Sequence, residues 1–130
     1  MTATTSPRFL VKVCDHATVA KFIDQRIVDS IVIQAVGDHL SHLVEHEGRH
    51  RLVLNLENVE FMATEMLARI FRIKQRMLKR GEGDIKLCHV EPHLLKCIKD
   101  LNMHKLIEVH GDETAALRAF ERGRKHVADH

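Results

Sequence analysis

Residues 50–83 read HRLVLNLENVEFMATEMLARIFRIKQRMLKRGEG, and their pattern decides the fold class. Residues 51–56 form an almost unbroken apolar run, in which Asn55 alone interrupts Leu52, Val53, Leu54 and Leu56. A run this short and this apolar predicts a strand covered on both faces, as in a mainly parallel sheet packed by helices. Residues 57–63 carry the chain to a helix start. Thr64 is the expected N-cap, because its hydroxyl can accept a hydrogen bond from an otherwise unpaired backbone N–H. Glu65 then places negative charge at the positive end of the helix dipole. Leu67, Ile70, Phe71, Met77 and Leu78 recur at helical spacing and predict the core face. Arg69, Arg72, Arg76, Lys79 and Arg80 recur on another side and predict a strongly basic face. Gly81 and Gly83 sit where a C-terminal stop is expected.

Outward from this unit, strand and helix signals alternate. Residues 1–7 are small and polar and predict a loose arm. Residues 8–14, with Phe9, Val11 and Val13 alternating, and residues 17–23 predict two strands joined at Asp15-His16 as an antiparallel hairpin. Residues 24–48 are mostly helical, with Ile33, Val36, Leu40, Leu43 and Val44 on one stripe. Asp29 or Ser30 caps that helix, the segment before them is a loop or extra turn, and Gly48 stops it. Residues 84–90 predict another strand, and Glu91-Pro92 opens a short helix, since proline suits the first turn. Leu94, Leu95 and Ile98 face its core side and Asn102 ends it. Residues 105–109 predict a last strand. A final helix follows, with Ala115, Ala116, Leu117, Ala119 and Phe120 inward. Beyond Arg122 the apolar pattern is lost, so 123–130 is expected to fray. The fold class is α/β: a mixed sheet of four or five strands packed by about four helices, in one domain over residues 8–122.

Composition bounds the function. At 130 residues the chain fits one domain with a real core. No apolar run approaches the roughly 20 residues that span a bilayer, and the first residues lack a signal-peptide pattern, which predicts a cytoplasmic protein without membrane contact. A net charge of +2 is too small to imply nucleic acid, and no helix-turn-helix signal is present. The three cysteines, Cys14, Cys88 and Cys97, match no redox or zinc spacing and read as reduced thiols. His39, His42 and His46 share one helix face, but no fourth ligand is evident and a solvent-facing row is the expectation. Cys88, His89, His93 and Cys97 have loose spacing, and the first two point to opposite faces of a strand. No nucleophile motif, phosphate-cradling loop or paired-carboxylate site is recognisable. An enzyme is therefore not expected, and neither a metal nor a cofactor is called for.

LVLNLENVEFMATEML, the helix to Arg80, and GDIKLCHVEPHLLKCIKDLNMHKLIEVHGDETAAL together resemble the STAS domain family, the bacterial anti-sigma factor antagonists. The resemblance covers almost the whole chain. It implies a regulatory protein-binding module that docks on a partner combining anti-sigma factor and serine/threonine kinase activity, and that is released when a hydroxyl at the helix start is phosphorylated. Phosphate adds about −1.5 to −2 charges, enough to break an apolar interface. The family pattern there is Asp-Ser-Ser-Gly-Leu. Aligned on Phe61-Met62 and Leu67, this chain has Ala63 for Asp, Thr64 and Glu65 for the two hydroxyls, and Met66 for Gly. Three readings stay open: Thr64 as the phosphosite, Glu65 as a permanent negative charge, or a lost switch with Thr64 as an ordinary cap. The implied docking surface is Val59, Phe61, Met62, Ala63, Thr64, Glu65, Met66 and Ala68, with Met62 and Met66 as adaptable apolar contacts. Two further readings compete: a STAS scaffold subunit of a sensory complex, which would self-associate, and an anionic-surface or nucleic-acid binder using Arg69, Arg72, Arg76, Lys79 and Arg80, which would be salt-sensitive.

Overall fold

The computed structural model describes residues 8–81 and 83–128, with the backbone alone for 122–128. The expected arm at 1–7 and the last two positions of the expected tail lie outside the described residues. The elements run β1 (Phe9–Val13), β2 (Thr18–Phe22), β3 (Arg26–Ile27), α1 (Ser30–Glu45), β4 (Arg51–Asn55), β5 (Phe61–Met62), α2 (Thr64–Arg80), β6 (Asp84–Cys88), α3 (Pro92–Asp100), a 3₁₀ turn (Met103–Lys105), β7 (Val109–His110) and α4 (Glu113–Ala128). The main sheet has five strands in the order β1-β2-β4-β6-β7. β1 and β2 form the expected antiparallel hairpin, and β2, β4, β6 and β7 are parallel. This is the mixed α/β architecture expected.

β4 lies at the centre of the sheet, and its alternation explains the unbroken apolar run. Leu52 and Leu54 enter the larger core with residues of α1, α2 and α3. Val53 faces the other way, into a smaller core with Val19, Cys88, Ala116 and Phe120 under α4. Helices thus cover both faces of the central strands. Each fully buried leucine contributes about 1.5–3 kcal/mol of transfer free energy.

In α1 the five expected stripe residues are all buried, and the Asp29 carboxylate accepts the Val32 N–H as an N-cap. In α2 the stripe is rotated from the expected one. Met66, Leu67, Ile70, Ile73, Lys74 and Met77 are buried, while Phe71 is half-buried and Leu78 is 47% exposed. Residues 66, 70, 73 and 77 form the centre of the dry face, so the row 67, 71, 74 and 78 runs along its margin and leaves the sheet at Leu78. Gly81 ends α2 in the left-handed conformation (φ 68°), which glycine adopts without steric cost. At Gly83 (φ 155°) a Cβ would lie 1.8 Å from the His50 carbonyl oxygen, so a side chain there would force the backbones apart.

Two segments depart from expectation. The segment before α1 is not a loop: Arg26–Ile27 pairs in parallel with Phe61–Met62 as a second, two-stranded sheet. The last strand is Val109–His110 rather than 105–109, because Asn102 turns left-handed (φ 59°) and a 3₁₀ turn takes the chain through Lys105. Pairing with β6 resumes where the Leu87 N–H meets the Glu108 carbonyl. The α4 helix is bounded by Glu113 and Ala128.

Candidate functional site

The connection from β4 to α2 is tied down along its length. The Leu56 N–H donates to the Cys88 carbonyl (3.0 Å), and the Val59 N–H to the Leu56 carbonyl (3.0 Å). The Asn58 amide donates to the Phe22 carbonyl at 3.1 Å. Glu60 and Phe61 N–H both donate to the Gln25 carbonyl, and the Ala63 N–H to that of Ile27. The turn is therefore clamped to the β2–α1 connection, which places the N-termini of α1 and α2 side by side.

Asn55 anchors this connection from beneath. Its Oδ1 accepts the Glu57 N–H at 2.9 Å, and its Nδ2 donates to Glu113 Oε2 at 2.6 Å. Lys12 Nζ donates to the other Glu113 oxygen at 3.0 Å. Burial alone would raise the Glu113 pKa, but the hydrogen bonds from Asn55 and Lys12 outweigh it and hold the carboxyl below its usual range. Glu57 is also lowered, by the hydrogen bond from Lys21, at 2.9 Å. A polar residue in a buried strand requires such partners. That requirement was the one signal in the sequence pointing to a role for Asn55.

Not all of the expected docking residues reach the surface. Val59 and Met66 are buried in the core, so their side chains are not presented to a partner. The resemblance implied one continuous surface, but Val59 is buried at the turn and Met66 lies on the dry face of α2. Met62, Ala63 and Ala68 are half-buried. Phe61 is 50% exposed, with the Arg26 guanidinium 4.7 Å from its ring centroid. Thr64 and Glu65 are exposed. The expected cap is one residue off: Ala63 is the N-cap (φ −67°, ψ 150°), with no side-chain hydrogen bond, and Thr64 is the first helical residue. The N-cap position thus belongs to Ala63, and the Thr64 side chain makes no cap hydrogen bond.

Sequence reasoning missed part of this surface. Ile23 and Val28 are exposed on the β2–α1 connection that holds the turn, and Ile31, in the first turn of α1, is 80% exposed. An apolar residue off the stripe of α1 was the available signal for Ile31. Nothing in the sequence joins Arg26 to Phe61.

Part of the basic face of α2 is paired within the fold. Arg69 pairs with Asp38 at 2.7 Å and Arg76 with Glu45 at 3.2 Å. Arg72 and Lys79 are exposed. Buried Lys74 pairs with Asp84. Lys86 pairs with Glu108 at 2.7 Å and lies 4.7 Å from the Phe120 ring centroid. Among the histidines, His42 and His46 stack at 4.9 Å, while His39 lies edge-on to Phe9 at 5.9 Å and its pKa is pushed down by burial. Among the described residues no group of three or more metal-ligating side chains is assembled. Cys88 is buried and Cys97 exposed; burial pushes the Cys88 thiol up to about 12, so it stays protonated. No helix among the described residues is long and apolar enough to cross a membrane.

These features define an α/β module whose distinctive surface is an exposed apolar turn at a helix start. The chain belongs to the STAS domain family, whose model matches residues 17–125. No curated protein matches the sequence. Among solved structures, the fold is similar to an anti-sigma-factor antagonist (STAS) domain protein from Planctomyces limnophilus, with TM-score 0.75 and 18% identity over 87% of this chain and 97% of that one. It is similar to the anti-sigma factor antagonist SpoIIAA in its unphosphorylated form (TM-score 0.67, 16% identity, 88% of this chain and 96% of that one). It is also similar to the Bacillus cell fate determinant SpoIIAA in the phosphorylated form (TM-score 0.61, 15% identity, 85% and 98%). At these identities the likeness is one of fold.

Proposed function

We propose that this chain is a cytoplasmic, non-enzymatic anti-sigma factor antagonist that docks on a kinase-type anti-sigma factor and is released by phosphorylation of Thr64. The observation that carries this reading is the exposed Thr64 hydroxyl, first in α2 and not spent on a cap, beside the exposed ring of Phe61. Aromatic and arginine side chains are the usual anchors of protein interfaces, and Phe61 with Arg26 supplies both. Ile23, Val28 and Ile31 are further exposed apolar side chains on the β2–α1 connection and the start of α1. A phosphate on Thr64 is tolerated by the fold, because unpaired backbone N–H groups of a helix start favour an anion. It is not tolerated by an apolar partner surface, which would have to desolvate it. The family's own switch supports the assignment, as does the fold likeness to SpoIIAA, which is known in both phosphorylated and unphosphorylated forms.

Glu65 stays exposed next to Thr64, so one charge is already accommodated at this position and phosphate adds to it. The anionic-partner reading is weakened by the pairing of Arg69 and Arg76 with acids of α1. The test is a binding titration of the anti-sigma factor with wild-type protein and Thr64→Asp, beside a phosphorylation assay on both. The proposal expects at least roughly tenfold weaker binding for Thr64→Asp and phosphate on wild type alone; equal affinities sink it.

A further inference from the structure

At the end of the sheet opposite the Thr64 turn, a cavity of about 360 Å³ opens between the β1–β2 turn and the segment that enters β4. Its ionisable lining is basic: Arg49, His50 and Arg51 on one side and His16 on the other, with no carboxylate among the described residues that line it. Gly48 is left-handed (φ 67°) after α1, and the Arg49 N–H closes that helix end on the Leu43 carbonyl at 3.0 Å. The chain turns there, which brings Arg49 and His50 to the cavity instead of continuing the helix. Arg51 Nη1 donates to the His16 carbonyl at 3.5 Å, which lays its guanidinium across the gap. Two polar groups here lack the partners that buried groups normally have. Arg49 Nε is buried without a hydrogen bond, and the Glu47 carboxylate is 3.9 Å from it, beyond reach. Thr18 is 5% exposed, lines the cavity, and makes no hydrogen bond through its hydroxyl with any described residue. It shares a face of β2 with Ala20 and Phe22, which lie in the larger core, so its hydroxyl sits inward, at the base of the cavity.

We propose that this cavity holds the phosphate group of a small phosphomonoester. The forked donors of two guanidiniums match phosphate oxygens, and His50 adds a ring nitrogen beside them. The Thr18 hydroxyl is the donor at the base, so the phosphate end of the ligand enters first. A monoester phosphate has three terminal oxygens to divide among Arg49, Arg51 and Thr18. A backbone diester has only two and carries chain on both sides, which a donor at the base of a cavity does not admit. The volume falls within the range of about 300–1,000 Å³ typical of small-molecule sites, which leaves room for the organic part of the ligand. The site shares no residue with the Phe61–Glu65 surface and does not depend on the function proposed above.

The test is an amide NMR titration of the full chain with phenyl phosphate, inorganic phosphate, dimethyl phosphate and chloride at matched ionic strength. The proposal expects phenyl phosphate to shift the Thr18, Arg49, His50 and Arg51 amides saturably, with a Kd of about 1 mM or below. Inorganic phosphate shifts the same amides no more tightly, and dimethyl phosphate and chloride do not saturate them. Arg49→Gln weakens phenyl phosphate binding roughly tenfold or more. Thr18→Val keeps the shape and removes the hydroxyl, and weakens it by about three- to tenfold. Arg49→Lys keeps the charge and loses the fork; it falls between wild type and Arg49→Gln, and keeps the test usable should the glutamine variant fail to fold. The absence of a saturable shift with phenyl phosphate overturns the proposal, and so does saturation indifferent to the Arg49 and Thr18 variants. An equal response to chloride or to dimethyl phosphate overturns it too, because the site then reads charge alone. Binding of inorganic phosphate with exclusion of phenyl phosphate overturns the ester as ligand.

Discussion

The two halves of α2 present opposite kinds of surface. At the start, apolar and hydroxyl side chains stand exposed around Phe61 and Thr64, beside an arginine held over an aromatic ring. Further along, part of the basic face is answered by the fold itself: Arg69 and Arg76 pair with acids of α1, beside buried Lys74 on Asp84, while Arg72 and Lys79 stay exposed. A basic stripe in sequence is thus a poor guide to a partner when acids on the neighbouring helix answer it. An exposed aromatic at a helix start is a better one, since burying it gains free energy that nothing inside the molecule has claimed.

The sharpest way to break this comparison is at Lys74, which is buried. Asp84→Ala leaves that ammonium without its carboxylate, and removing one partner of a buried pair costs about 3–5 kcal/mol. Chemical denaturation should show the loss. An unchanged midpoint would mean that the far half of α2 is not held by its charges. Phe61→Ala should act in the opposite sense, lowering partner affinity by about 2 kcal/mol, as expected of an aromatic anchor, with little change in Tm. A smaller effect concerns the support beneath the turn. The folded Glu113 carboxyl sits below the ordinary value of 4.5, so the unfolded chain binds its proton first on acidification. The stabilisation is present above about pH 4.5 and fades as pH falls through the lower folded value. Glu113→Gln should flatten that part of the acid limb in a stability–pH profile. Smallest of all, Arg76→Ala should cost less than about 1 kcal/mol, because its pair with Glu45 is exposed to solvent.

The long periodic elements were legible in the sequence. The β4 run and the α1 stripe each repeat a burial pattern often enough to declare a period, and the order of strands and helices followed from them. Short elements carry no period, which is why β3 and β5 were not visible and why the last strand was misplaced. The site was legible in outline only. Phe61, Thr64 and Glu65 emerged as exposed, but Val59 and Met66 did not, because which side of a turn faces inward depends on where the helix docks. The contact between Arg26 and Phe61 follows from the pairing of β3 with β5, a long-range event that no local pattern encodes. Ala63 displaced Thr64 from the cap because the helix start is set by the Ile27 carbonyl that holds the Ala63 N–H, not by capping preference alone.

The most direct measurement is affinity capture from the protein's own cell extract with three baits in parallel: wild type, Thr64→Asp, and Arg72→Ala combined with Lys79→Ala. Mass spectrometry would read the retained proteins and the Thr64 peptide. The account predicts a kinase-type anti-sigma factor on the wild-type and Arg72/Lys79 baits, its loss from Thr64→Asp, and phosphate on Thr64 in part of the wild-type bait. Retention of that partner by Thr64→Asp, with loss from the Arg72/Lys79 bait, would contradict it and move the working surface to the other half of α2.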